Sequence, residues 1–153
     1  QGSFICFFHL GDIYTADHPE FGIKKNVKKA SKYLKYAADN GIVDASNQYA
    51  QLLANLGENP ETIKKYLFNG INIGDTNSMI SYSCLLFNGI GLPQDYNEAV
   101  KYSKMAADLG DKNGMKIYAS LVNIGLGVNK DQQEAVQYNM LSKDPTDEEC
   151  LIQ

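Results

Sequence analysis

The chain has 153 residues, 44% of them hydrophobic and 21% charged, with a formal net charge of −4. That is one domain's worth of chain or one stretch of a repeat array, and no apolar run approaches the roughly 20 residues that a membrane-spanning helix needs. All 14 basic residues are Lys; the absence of Arg, the side chain suited to bidentate phosphate and base-edge recognition, argues against nucleic-acid binding.

In chain order, Gln1-Gly2-Ser3 looks like the remnant of a cleaved tag and is set aside. Native sequence is then expected from about Phe4, as in a fragment of a longer array. From Phe4 to Tyr14 the apolar residues suit a short, deeply buried helix, although so few residues also fit a strand. Pro19 and Gly22 mark a loop over 15–26. Val27 to Asn40 carries Val27, Ala30, Tyr33, Leu34, Ala37 and Ala38 on one helical face, and Gly41 stops it. Its lysines, with Lys24 and Lys25, read as the solvated side of that helix rather than an anion site. Helices follow over 45–55 and from Asn59-Pro60, a cap and first-turn pair, to about Ile73.

From Ser78 the chain repeats itself. Tyr82, Gly89, Gly91, Asp95, Glu98, Ala99 and Tyr102 recur 36 residues later as Tyr118, Gly125, Gly127, Asp131, Glu134, Ala135 and Tyr138. A fixed period of this size is the signature of a solenoid. Earlier copies share parts of it: Leu10-Gly11 stands in the slot of Tyr82-Ser83, and Tyr33 and Tyr66 are 33 residues apart. Asp95/Glu98 and Asp131/Glu134 have the spacing of a capping box, in which each side chain satisfies N–H groups at the helix start. The Gly-x-Gly before each supplies unusual backbone angles. It is not a phosphate loop, since no strand precedes it and no Lys-Ser/Thr follows. Pro145 breaks the last copy, and Thr146-Asp147-Glu148-Glu149 opens a short terminal helix over 147–153. Repeats are expected over about 6–43, 45–76, 78–113 and 114–146.

These linked positions resemble the Sel-one-like repeat, a relative of the tetratricopeptide repeat. The motif appears as Leu10-Gly11-Asp12-Ile13-Tyr14, Lys29-Ala30-Ser31-Lys32-Tyr33, Ala37-Ala38-Asp39-Asn40-Gly41 and Gly125-Leu126-Gly127-Val128-Asn129-Lys130-Asp131. The second copy departs from it, with no Gly-x-Gly and Ile63 in the Ala slot. The resemblance implies an all-α, right-handed α/α superhelix of antiparallel helix pairs, with about four repeats, first helices lining the concave side and second helices the convex side. It also implies an adaptor that assembles complexes and brings no catalytic motif. Carrying over the groove positions of tetratricopeptide repeats selects Asp12, Asn47, Gln51, Asn55, Cys84, Asn88, Lys116, Ser120 and Asn123 for binding a peptide or protein. Asn amides can hold an extended backbone, and Lys116 a carboxylate.

Catalytic and metal chemistry find little support. His9 and His18 lie in no metal-ligand spacing, and Cys84 has no His placed to activate it. No cofactor is expected. Three cysteines without a paired spacing do not form a disulfide framework, so a reducing, cytoplasmic setting is the expectation. Two other readings remain: a secreted Sel-one-like protein with ligand-binding or weak hydrolytic, cell-wall-related activity, or an oligomerisation segment of a larger protein. The first subgroup staples each repeat with a Cys pair, which this chain lacks.

Overall fold

The computed structural model describes residues 2–143. Among them are eight α-helices and a 3-10 turn, and strand pairing is limited to one bridge between His18 and Ile23. The helices are α1 (Gly2–Ile13), α2 (Val27–Asp39), α3 (Val43–Leu56), α4 (Pro60–Ile71), α5 (Thr76–Asn88), α6 (Tyr96–Asp108), α7 (Lys112–Ile124) and α8 (Gln132–Leu141). They form two compact units. One runs to Ser78 and includes Ile90–Leu92; the other holds Met79–Gly89 and the chain from Pro93.

In the first unit, α2 shows how the sequence writes a helix. The Asn26 side chain accepts the Lys29 N–H at 3.0 Å and satisfies one of the unpaired donors of the first turn. Ala30, Leu34 and Ala37 are fully buried; burial of a leucine side chain such as Leu34 contributes about 2 kcal/mol. The lysines stay on the solvent side. At the C-terminus Gly41 takes φ +87°, and the N–H groups of Gly41 and Ile42 return to the carbonyls of Ala38 and Ala37. This is a Schellman motif. Gly74 repeats it at φ +83° with bonds to Ile71 and Gly70.

Packing between these helices depends on small residues. A Cβ on Gly11 would lie 2.7 Å from Leu34 Cγ, so α1 and α2 meet there without a side chain between them. Gly70 of α4 faces Ser78, at the start of α5, in the same way. Ser78 closes a buried polar knot. Asp75 Oδ2 accepts the Ser78 N–H at 2.7 Å and the Asn47 amide at 3.2 Å. The Ser78 hydroxyl proton serves either Asn47 Oδ1 at 2.7 Å or Asp75 Oδ2 at 2.5 Å. A second link joins the helix pairs. Tyr66 packs edge-on against Tyr49 with centroids 4.8 Å apart, and its hydroxyl donates to Asp39 at 2.8 Å. Lys35 also donates to Asp39, at 2.6 Å. The Lys35 hydrogen bond holds the Asp39 carboxyl below its ordinary pKa, and burial together with Asp39 pushes the Tyr66 phenol up.

The second unit repeats this logic. A Cβ on Gly114 of α7 would lie 2.8 Å from Ala106 Cβ and from the Ala107 nitrogen of α6. Tyr82–Tyr102 and Tyr118–Tyr138 reproduce the edge-on pair, each at 4.8 Å. Tyr138 donates to Asp108 at 3.0 Å, as Tyr66 does to Asp39. Lys104 donates to the Tyr138 hydroxyl at 3.0 Å, and this bond raises the Lys104 pKa. Val100, Ala107, Tyr118, Leu121, Val122 and Ala135 form the core of the unit. Gly110 closes α6 with the same Schellman bonds, to Ala107 and Ala106.

The structure corrects several expectations. The first helix is not deeply buried: of α1 only Gly11 is buried, while Ile5 and Leu10 are 45% and 39% exposed. The reason is one-sided packing, since α1 rests mainly on α2, with a smaller contact to α3. Gly2 and Ser3 fall within its first turn. Only half of the expected capping box forms. Asp95 and Asp131 accept the N–H groups of Glu98 and Glu134, each at 3.0 Å. The glutamates do not reach back to the caps, whose own N–H groups donate to Leu86 O and Val122 O. Instead Glu98 accepts the Tyr82 hydroxyl at 3.1 Å, and Glu134 that of Tyr118 at 2.8 Å. The glutamates thereby tie each second helix to its first; burial and the Glu98 charge raise the Tyr82 pKa. The second helix of the second copy ends at Ile71 rather than near Ile73. Pro145 and the terminal helix expected over 147–153 lie outside the described residues.

Three outcomes are expected in urea unfolding of the full chain. Gly127→Ala, at φ +72° with its new Cβ against Tyr96 O, should cost about 2 kcal/mol or more. Gly74→Ala, at φ +83° in open space, should cost only about 1 kcal/mol; equal losses would contradict the close contact. Asn47→Ala should cost about 1–3 kcal/mol by stranding buried partners, while Asn55→Ala on the exposed face of α3 should stay within about 0.5 kcal/mol. Because the folded-state pKa of Asp39 is lowered, its contribution is complete above the unfolded value near pH 4 and is lost as pH falls through the folded value. The stability gap between the parent chain and Asp39→Asn should therefore be open at pH 7 and narrow as the pH falls through that lowered value. Tyr66 has the opposite sign: its contribution is complete below about pH 10 and is lost as pH rises through its raised folded value.

Candidate functional site

Six of the nine residues selected from the sequence line two cavities, one in each unit. The first, about 460 Å³, lies between α3, the end of α1 and the start of α2, and includes Asp12, Gln51 and Asn55, with Gln48 and Leu52 from α3, Val27 and Ala30 from α2 and Lys25 from the α1–α2 loop. Asp12 sits near the end of α1, and one helical turn separates Gln48 from Leu52 and Gln51 from Asn55, so α3 presents both pairs on one side. Asp12 Oδ1 accepts from the Gln48 amide at 2.9 Å. That bond assigns the amide nitrogen to Asp12 and leaves Gln48 Oε1 buried, with no hydrogen-bond partner among the described residues.

The second cavity, about 280 Å³, lies between α5 and α7. Cys84, Lys116 and Ser120 line it together with Phe87, Ile117 and Leu121. Its walls are apolar and its rim carries one exposed cation, Lys116, which makes no ion pair among the described residues. Burial pushes the Cys84 thiol up from its ordinary pKa. That reduces the thiolate present at neutral pH, the reverse of what an activated nucleophile needs.

The other three positions behave differently. Asn47 is not on the open face: it is 7% exposed and holds Ser78 and Asp75 inside the fold. The helical register places it one residue from the groove-facing Gln48, and α5 starts against it. Asn88 donates to the Cys84 carbonyl of its own helix at 2.8 Å, and Asn123 is exposed; neither lines these two cavities. Ser120 likewise donates to the Lys116 carbonyl.

The carried-over groove positions leave out Gln48, Phe87 and Ile117, because they fall at other positions of the helices. The helical period could have found them: Ile117 precedes Ser120 and Leu121 on the same side of α7. A third cavity, about 380 Å³, includes Phe7, Tyr33 and Tyr36 with Lys32 and Lys35. Its signal in the sequence is the aromatic content of the first two helices. Phe7 meets Tyr36 edge-on at 4.7 Å and Tyr33 at 6.0 Å.

Among the described residues no group of three or more His, Cys, Asp or Glu is placed to hold a metal ion. His18 instead faces Glu20 at 3.4 Å. No helix of the described residues is long and apolar enough to cross a membrane.

The chain resembles solved structures across most of its length. It is similar to a Sel1 repeat protein from Oxalobacter formigenes, with a TM-score of 0.74 and 24% identity over 91% of this chain and 55% of that one. It is also similar to c5321, described as a protective antigen of uropathogenic Escherichia coli strains with an SLR fold, at a TM-score of 0.74 and 20% identity over 93% of this chain and 32% of that one. The chain thus spans about half of the first protein and a third of the second. These likenesses establish the all-α solenoid fold. A search of curated proteins returns no match. The family model of the Sel1 repeat matches residues 8–42, 76–111 and 118–138. The unmatched stretch between the first two is the copy that lacks the paired glycines. With more than half of its residues matched in three stretches, the chain belongs to the Sel1 repeat family.

Proposed function

We propose that the chain is a non-catalytic scaffold that binds a protein or peptide segment on its first helices. The observation that carries this reading is the position of the two cavities. Each opens between successive first helices, α1 with α3 and α5 with α7, and takes three residues from the expected binding set. Their chemistry is complementary to a peptide rather than to a reacting substrate. The α1/α3 cavity offers side-chain amides, a carboxylate and the buried acceptor Gln48 Oε1, which suit backbone N–H and C=O groups. The α5/α7 cavity offers an apolar lining for one side chain, with Lys116 at its rim for an acidic neighbour. Neither brings a nucleophile to a base, and the Cys84 thiol is raised rather than lowered.

The test is quantitative capture of partners by the immobilised full chain. It is repeated with Gln51→Ala/Asn55→Ala in one variant and Lys116→Ala/Ser120→Ala in another. These side chains are exposed, so the unfolding midpoint should move little. Recovery of a partner held by these patches should fall about tenfold or more, the equivalent of about 1.4 kcal/mol. Full recovery with both variants would remove the first-helix assignment.

A further inference from the structure

The loop over 14–26 that joins α1 to α2 is longer than its counterparts over 89–95 and 125–131. The added chain forms a closed turn. The His18 N–H donates to Ile23 O at 2.8 Å and the Ile23 N–H to His18 O at 3.1 Å, which makes a short antiparallel bridge. Pro19 opens the 3-10 turn between them, and Gly22, at φ +66°, ends it with its N–H on Pro19 O. The chain around the turn is tied as well. The Lys25 N–H donates to Asp17 Oδ1 at 2.7 Å, and the Asn26 N–H to Tyr14 O at 2.9 Å. What this turn presents is Phe21, 75% exposed and the most exposed large apolar side chain among the described residues. The fold gains no burial from a phenyl ring held in water.

The chain leaving the turn is basic. Lys24, Lys25, Lys28, Lys29, Lys32 and Lys35 are all exposed. Lys29 lies over the Tyr14 ring at 4.7 Å, and Lys35 pairs with Asp39. Lys24, Lys25, Lys28 and Lys32 make no ion pair among the described residues. The acids of the loop are engaged elsewhere, Asp17 by the Lys25 N–H and Glu20 by His18. Lys28 and Lys32 stand one turn apart on the side of α2 away from the buried Ala30, Leu34 and Ala37. This arrangement works against the helix. Cations in a first turn oppose the helix dipole, and like charges one turn apart repel. The other second helices do the reverse: α4, α6 and α8 carry Glu61, Glu98 and Glu134 in their first turns, where α2 has no acid. Folding accounts for the lysines of α2 no better than for Phe21.

We propose that Phe21 with Lys24, Lys28 and Lys32 is a docking surface for an anionic lipid bilayer, the ring at headgroup level and the ammonium groups over the lipid anions. Charge complementarity selects the occupant. An ammonium is a hydrated point charge suited to a diffuse negative surface; discrete carboxylate pairs favour the bidentate guanidinium, which this chain lacks. An acidic protein segment would satisfy the lysines and leave the exposed ring without a role, whereas a bilayer takes both. The contact is peripheral, since no helix of the described residues is long and apolar enough to cross a membrane. It is independent of the two first-helix cavities, and Lys25, which lines the first of them, is left out of it.

The test is sedimentation of the full chain with vesicles of phosphatidylcholine alone and with about one phosphatidylserine in four. The chain should bind the phosphatidylserine vesicles, release them as salt is raised and not bind phosphatidylcholine alone. Lys24→Gln, Lys28→Gln and Lys32→Gln should each weaken binding about fivefold, the factor one lysine contributes at such a surface. Phe21→Ser should weaken it about fivefold at unchanged charge. All four positions are exposed, so the urea midpoint should hold, or rise where a first-turn lysine is removed. The chain has no Trp, so Phe21→Trp supplies the sole indole reporter, and its emission should shift to the blue on phosphatidylserine vesicles. Three results would overturn the proposal: no binding of the parent chain to those vesicles, binding that the lysine changes leave intact, or unshifted emission from bound Phe21→Trp chain. So would polyglutamate held as tightly as the vesicles with or without Phe21, which would assign the lysines to an acidic protein segment.

Discussion

Everything in this chain depends on how closely a first helix can approach the second helix before it. At Gly114 the space for a side chain is filled by Ala106 and Ala107, and at Ser78 the approach is possible because Gly70 has none. Larger residues at these slots would push the helices apart and open the contacts around them, since packed interiors have little room to absorb added volume. The Schellman turns at Gly41, Gly74 and Gly110 serve the same end. Each reverses the chain within a few residues, with the helix-end carbonyls satisfied, so that the next helix starts against the last.

Around this approach the fold sets pairs of tyrosines. Tyr49–Tyr66, Tyr82–Tyr102 and Tyr118–Tyr138 meet edge-on at one distance, 4.8 Å, in all three copies. Aromatic pairs favour this arrangement because a ring edge is positive and a ring face negative. The buried hydroxyls then need partners, and the chain supplies acids: Glu98 and Glu134 for first-helix tyrosines, Asp39 and Asp108 for second-helix ones. The first copy has Leu10 where the others have tyrosine, and Lys29 where the third and fourth have the glutamate; the second keeps Tyr49 with Thr62 in that slot. In the first copy both partners change together, so no hydroxyl is placed there without its carboxylate.

The binding reading rests on what remains exposed once these links are made. Asp12, Gln51, Asn55, Lys116 and Ser120 lie on the first helices and are exposed. Asn47 had the same residue type and came from the same carried-over pattern, yet it is consumed by Asp75 and Ser78. Residue type and spacing cannot separate the two cases, because a one-residue step around a helix turns an open position into a contact. Gln48, its neighbour, faces the cavity instead.

The amino-acid sequence by itself determined the repeat, the helices and their ends. The 36-residue period, the apolar stripe of α2, the caps Asn59, Asp95 and Asp131 and the glycines that end the helices are local signals, read within a few turns of chain. Tertiary structure decided the rest. It sent Glu98 and Glu134 to tyrosines 16 residues away instead of to their own caps, because a buried hydroxyl competes for the carboxylate more strongly than a cap N–H that already has a carbonyl. It took Asn47 into the interior, and it left Ile5 and Leu10 exposed. Each of these outcomes depends on which helix lies alongside, and that is a contact between residues distant in the chain, which no local pattern records.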